Sequence, residues 1–234
     1  MKPIHRHVTK FWSEERSLTV FLVLLTVEIF VIAPMQFTGL AFKLLNSVLF
    51  SLLLLVGLMT LTRKKSIRAV LALFVVLSVV THWANVVFGV PGLVLIDGLF
   101  MLLCTIALLA VVLRQVYRDG PVTTHRIMGA VAGYLLLTLI FAIAYGLTET
   151  HLPGSFQMPT IPAHAVGQQL QAFYYFSVIT LTTTGYGDIT AVNPFARTLV
   201  MMEALTGQLY TAILIARLVS LHAETKREKM GERK

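Results

Sequence analysis

Six long apolar runs, at about residues 17–36, 39–61, 67–90, 92–113, 127–147 and 194–219, divide this chain, with polar segments between them. Each approaches the roughly 20 apolar residues that a helix needs to cross a bilayer. The pattern predicts an all-α membrane protein with six transmembrane helices. One further apolar stretch, residues 172–183 (Ala-Phe-Tyr-Tyr-Phe-Ser-Val-Ile-Thr-Leu-Thr-Thr), is only half a span long. That length predicts a re-entrant helix, which enters the membrane and returns to the same side. The polar run that follows, Thr182 to Asp188, then falls at membrane depth, where non-helical backbone survives only if it is buried in protein or lines a water-filled path.

Charge gives the runs an orientation. Lys2, Arg6, Lys10 and Arg16 precede the first run, and Arg63, Lys64, Lys65 and Arg68 separate the second from the third. Arg114, Arg118 and Arg126 separate the fourth from the fifth, and Lys226, Arg227, Lys229, Arg233 and Lys234 follow the sixth. With six spans, all these clusters share one side. The segments at 34–38, 91–92 and 148–171 share the other and contain no Lys or Arg. The positive-inside rule then places both termini in the cytoplasm of a multi-pass plasma-membrane protein.

Composition agrees. The 234 residues are 56% hydrophobic and 13% charged, with mean hydropathy +0.79, whereas soluble chains run nearer a quarter charged. The net charge of +8 arises from topological clusters rather than a basic patch, which argues against nucleic acid as a partner and leaves membrane lipid. Cys104 is the lone cysteine, so it reads as a small packing residue. The polar residues 1–16, with Ala33-Pro34-Met35 as a poor cleavage site, predict a retained signal anchor.

The run Thr182-Thr183-Thr184-Gly185-Tyr186-Gly187-Asp188 carries the chemistry. Glycines free the backbone to turn successive carbonyls the same way, and the threonines add oxygens, so the run suits replacement of a cation's water shell. It resembles the T-V-G-Y-G-D selectivity filter of potassium channels, with Thr184 in the valine position. The resemblance implies a homotetramer, because one chain carries one filter and cannot surround an ion. It assigns K+ to the carbonyls of Thr183, Thr184, Gly185 and Tyr186 with the Thr183 hydroxyl, names Gly187 in the same strand, and puts Asp188 at the outer mouth. No other cofactor and no enzymatic activity are expected.

The same resemblance implies that Tyr186 packs against Tyr175 and Phe176, which brace the filter. Ile179 stands where some relatives carry a supporting carboxylate. Gly207 reads either as a gating hinge or as a close-packing residue, and Gln208, Thr211 and Ile215 share a helical face assigned to the cavity wall. Glu203, expensive at membrane depth, either hydrogen-bonds behind the filter or pairs with Arg197. Gly129 and Gly133 read as a helix-packing pair.

The predicted organisation is a cytoplasmic N-terminus (1–16), a four-helix bundle (17–113), a cytoplasmic linker (114–126), a pore domain of outer helix, turret, pore helix, filter and inner helix (127–221), and a tail (222–234). This is similar to six-span channels whose first four helices sense voltage. The fourth run nevertheless lacks Arg and Lys and contains Asp97. One charge crossing the field yields only about 2.3 kcal/mol per 100 mV, so steep gating needs several, and none is expected here. Counting depth at about 1.5 Å per residue brings Glu28, Lys43, His82 and Asp97 near one level, either as a structural network or as a proton-responsive site. The charged tail predicts no ligand-binding domain within this chain. The 148–171 segment, with His151, His164, Glu149 and three prolines, predicts an irregular turret.

Two rivals remain. A weakly selective cation channel shares Gly-Tyr-Gly but tends to lack the threonine that Thr183 supplies. An intramembrane aspartyl protease shares Gly-x-Gly-Asp but needs a second facing aspartate; only Asp97 qualifies, and the threonine run would then have no role.

Overall fold

A computed structural model describes residues 18–32, 40–61, 65–88, 91–117, 123–158 and 166–231. Helix α1 (Leu18–Ile32) widens into a π-helical turn at Glu28–Ile32. The succeeding helices are α2 (Leu40–Leu61), α3 (Lys65–Phe88), α4 (Pro91–Val116) and α5 (Thr124–His151). A short strand β1 (Phe156–Gln157), helix α6 (Val166–Leu181), strand β2 (Thr190–Ala191) and helix α7 (Pro194–Gly231) complete the order.

The protein is an all-helical, multi-pass membrane chain. Among the described residues, segments of α3, α4, α5 and α7 are long and apolar enough to span a membrane. The apolar parts of α1 and α2, Leu18–Ile32 and Leu44–Leu58, are shorter. Their flanks at 33–39 and 62–64 lie outside the described residues.

Helix ends follow local chemistry. Thr123 caps α5, its hydroxyl accepting from the Arg126 amide at 3.4 Å, which satisfies one of the amides a helix start leaves free. Asn193 caps α7, its side chain accepting from the Ala196 amide at 2.8 Å, and Pro194 fills the first helical position, where its missing N–H costs nothing. Helix α7 continues through the predicted cytoplasmic tail as far as Gly231.

The hydrophobic core runs from the α1–α4 bundle into the α5–α6–α7 module, through Phe21, Leu53, Leu108, Leu136, Leu139 and Phe173. Helix α4 lies along α5, and α5 packs on α6. Gly129 and Gly133 are packing residues. A Cβ on Gly129 would sit 3.1 Å from Val116, and one on Gly133 would press on the Tyr210 hydroxyl.

The described first part of the turret, residues 148–158, is more regular than expected. Strands β1 and β2 pair antiparallel, Phe156 with Ala191 and Gln157 with Thr190. The Glu149 carboxylate accepts from the Gly154 and Phe156 amides at 2.8 and 3.1 Å, and Ser155 accepts from the Asn193 amide nitrogen at 2.8 Å. Glu149 and Ser155 thus pin a segment whose composition alone suggested an irregular turret.

Candidate functional site

The site is built where α6 ends. This helix is 16 residues long, or about 24 Å at 1.5 Å per residue, too short for a membrane roughly 30 Å thick in its hydrocarbon part. Its last turn hands the chain to the 182–188 run through its own carbonyls. The Val178 oxygen accepts from the Thr182 amide, the Thr180 oxygen from Thr183, and the Ile179 oxygen from both Thr184 and Gly185, at 2.8–3.1 Å. The run beyond has no ladder partner and is exposed from Thr182 to Asp188.

Its backbone alternates. Thr183, Gly185 and Gly187 have φ of +60°, +53° and +80°, while Thr184 and Tyr186 between them do not enter the positive region. In an ordinary strand successive carbonyls point to opposite sides. Alternating the sign of φ breaks that opposition and lets successive carbonyls share a side. Glycine adopts positive φ freely; a β-branched threonine does not, so Thr183 stores strain that its surroundings must hold. Its amide bond to Thr180 and a contact from the Gln208 side-chain nitrogen to its hydroxyl, 3.2 Å, are the restraints. The Thr182 and Thr184 hydroxyls lie 3.0 Å apart.

Asp188 accepts from the Tyr175 hydroxyl at 2.8 Å and from the Ile189 amide at 3.1 Å.

The expected packing of Tyr186 on Tyr175 and Phe176 is not formed within one chain, because Tyr186 is 72% exposed. Tyr175 is drawn instead to Asp188. Phe176 belongs to an aromatic cluster with Tyr145, Phe156 and Phe173, whose paired centroids are 4.9–5.9 Å apart. Both residues still stabilise the end of α6, one through a carboxylate and one through ring packing.

Helix α7 presents two stripes. Glu203, Gly207 and Tyr210 are buried, whereas Gln208, Thr211 and Ile215 are exposed in the single chain. Gly207 allows a close approach: a Cβ there would overlap the Leu181 carbonyl. The helix runs through Gly207 unbroken. The Tyr134 hydroxyl donates to that same Leu181 carbonyl at 3.1 Å, and Tyr210 donates to the Ala130 carbonyl at 2.7 Å. Glu203 is fully buried and accepts from Tyr145 and Ser177. Of the two expectations for this carboxyl, the hydrogen bond behind the 182–188 run is the one formed. Arg197 is occupied by the Ala191 carbonyl at 3.2 Å.

In the bundle, His82 bridges helices. One ring nitrogen lies 3.0 Å from Asp97 of α4 and the other 2.9 Å from Ser47 of α2. Asn85 donates to the same Asp97 oxygen at 3.2 Å. The expected four-residue network is therefore corrected. Glu28, though 2% exposed, has no hydrogen-bond partner among the described residues, and its electrostatic neighbour is Tyr174 on α6. The Lys43 side chain lies outside the described residues. Counting depth fixed the height of these groups but not the direction each helix turns them. Ser47 and Asn85 went unnoticed because single polar residues in apolar runs carry no spacing signal.

A half-length helix thus feeds an alternating-φ loop and is braced between two long helices. Residues 133–224 match the ion channel family, a non-enzymatic class, and that segment covers α6, the 182–188 run and most of α5 and α7. The chain is 36% identical over 92 residues to the two pore potassium channel c of Oryza sativa subsp. japonica, covering 39% of this chain and 19% of that protein. It is 38% identical over 84 residues to the inward rectifier potassium channel Kirbac3.1 of Paramagnetospirillum magnetotacticum, covering 34% of this chain and 24% of that protein. The chain thus spans about a fifth to a quarter of the curated relatives it matches. No solved structure matches it significantly.

Proposed function

We propose that this chain is one subunit of a homotetrameric, potassium-selective channel that conducts K+ passively across the plasma membrane. The observation that carries the reading is the alternation of positive φ at Thr183, Gly185 and Gly187, in a TTTGYGD run fed directly from the end of α6. Four such runs around an axis would surround a dehydrated K+ with the carbonyls of Thr183, Thr184, Gly185 and Tyr186 and the Thr183 hydroxyl. Asp188 would concentrate cations at the outer mouth. Gln208, Thr211 and Ile215 would line the cavity, with Gly207 as the point where α7 meets the filter base. The exposed apolar side chains of α7, such as Met201 at 70% and Leu205 at 60%, would be covered by neighbouring subunits or lipid.

The six-span topology with cytoplasmic termini rests on the apolar runs and basic clusters. The absence of Arg and Lys between residues 92 and 113 argues against steep voltage gating through α4. A weakly selective cation channel is the closest alternative, disfavoured by Thr183 at the base of the run; the aspartyl protease is disfavoured because Asp97 is committed to His82.

Reconstitution in liposomes with a K+ flux assay tests the reading. K+ flux that Na+ does not match is expected. Equal passage of Na+ would defeat selectivity, and a protein that assembles yet passes neither ion would defeat the channel.

A further inference from the structure

We propose that Glu203 is a positioning residue for the 182–188 run, holding the last turn of α6 in place from the inner helix; this rests on the channel reading above.

The argument begins with what the run hangs from. Its first four amides bond to the carbonyls of Val178, Ile179 and Thr180, so any shift or rotation of that turn moves the alternating backbone with it. Ser177 stands immediately before those carbonyls and is fully buried. Its hydroxyl lies 3.0 Å from the Thr138 carbonyl of α5 and meets the Glu203 carboxyl of α7. The other Glu203 oxygen accepts from Tyr145 of α5, itself 0% exposed and ringed by Phe156, Phe173 and Phe176. One side chain therefore ties together the three helices α5, α6 and α7 in a region closed to water.

One helical turn beyond Glu203, Gly207 places the α7 backbone against the Leu181 carbonyl, which Tyr134 also engages. The end of α6 is thereby held at two points, Ser177 and Leu181, and both contacts come from the buried stripe of α7. The strain at Thr183 makes such a hold necessary. A β-branched residue at positive φ relaxes unless its neighbours are fixed. Among low-dielectric contacts, hydrogen bonds to a carboxyl are both strong and directional. To the rotational restraint that side-chain packing gives α6, the Ser177–Glu203–Tyr145 chain adds a directional one.

The full-length protein is reconstituted in liposomes as wild type, E203Q, E203A and S177A, with K+ and Na+ flux measured for each and tetramer recovery checked by detergent gel filtration. The glutamine amide in E203Q offers a carbonyl for Tyr145 and an N–H for Ser177, so this variant is expected to keep the K+/Na+ ratio within about twofold. E203A should lower that ratio by tenfold or more while tetramer is still recovered, and S177A should shift it in the same direction by less. If E203A fails to assemble, S177A decides: a wild-type ratio in S177A overturns the proposal. An assembled E203A with a wild-type ratio overturns it, as does an E203Q no better than E203A. A selective wild type with unaffected variants defeats the brace alone; a wild type that conducts neither ion defeats the channel reading and the brace with it.

Discussion

The cluster directly behind the 182–188 run and the interior of the preceding bundle treat buried carboxyl groups in opposite ways. Behind the 182–188 run, Glu203, Ser177, Thr138 and Tyr145 are all buried; Tyr145 donates to Glu203, the Ser177 hydroxyl lies between Glu203 and the Thr138 carbonyl, and the strained backbone lies directly beyond them. In the bundle, one pair, His82 with Asp97, is tied to Ser47 and Asn85. Glu28 and one Asp97 oxygen are buried without partners among the described residues. An unsatisfied buried polar atom costs about 1–3 kcal/mol. The difference teaches that the end of α6 is built to hold one geometry, whereas the bundle, like His125 and Gln171 farther from the run, tolerates polar groups whose pairing is incomplete. Substitutions in the first should change ion selection; substitutions in the second should change stability.

The largest separation is expected at Gly207. In G207L the new side chain must enter the space held by the Leu181 carbonyl, a backbone clash that a rotamer change cannot relieve. Flux should be abolished, with stability falling by about 3 kcal/mol or more, read by liposome flux and thermal unfolding in detergent. A conducting G207L would break the claim that α7 seats the filter base.

G185A comes next. A Cβ at φ +53° costs about 1–2 kcal/mol and disturbs the alternation, so K+/Na+ discrimination should fall at least tenfold while the tetramer persists. Retained selectivity would separate the alternation from function.

The bundle should answer differently. In H82Q the amide cannot reach both Asp97 and Ser47, so thermal stability should drop by about 1–3 kcal/mol with K+/Na+ selectivity unchanged. Titrating flux against pH in H82Q and wild type sharpens the point. Coincident curves would remove His82 as a proton sensor, and diverging curves would give the bundle a regulatory role.

The smallest effect is expected at the mouth. D188N removes four charges from a tetramer and the partner of Tyr175, so K+ flux should fall a few-fold at low ionic strength and recover in high salt, because exposed charges are screened. An effect independent of salt would mean that Asp188 acts through Tyr175 rather than through its field.

Much of the pore was legible in the chain. The half-length apolar stretch before Gly185-Tyr186-Gly187 predicted a re-entrant helix, and α6 ends at Leu181 as that reading requires, although it begins at Val166, earlier than hydropathy alone implied. Backbone freedom is written in residue identity, so two glycines announced two of the three positive-φ positions. The third, Thr183, was not legible as such, because threonine takes that conformation only when tertiary contacts impose it. Tyr145 and Ser177 were missed for a related reason: a tyrosine or serine within an apolar run looks like any other until a facing helix supplies its partner.

The bundle was legible in its lengths and charges but not in its pairing. Glu28, Lys43, His82 and Asp97 could be placed at similar depths, yet among the described residues only His82 and Asp97 meet.

Hydrophobic periodicity, basic clusters and the glycine-rich run, taken alone, determined that this is a membrane chain with a pore-loop motif and a fourth helix without arginines. Those are local properties, fixed by transfer free energy and by the backbone angles a residue tolerates. Only the tertiary structure decided that Glu203 bonds behind the 182–188 run rather than to Arg197, that Gly207 serves a close approach to Leu181, and that β1 and β2 tie the segment after α5 to the start of α7. Each depends on the rotation of one helix against another, which side-chain packing sets and no single segment encodes.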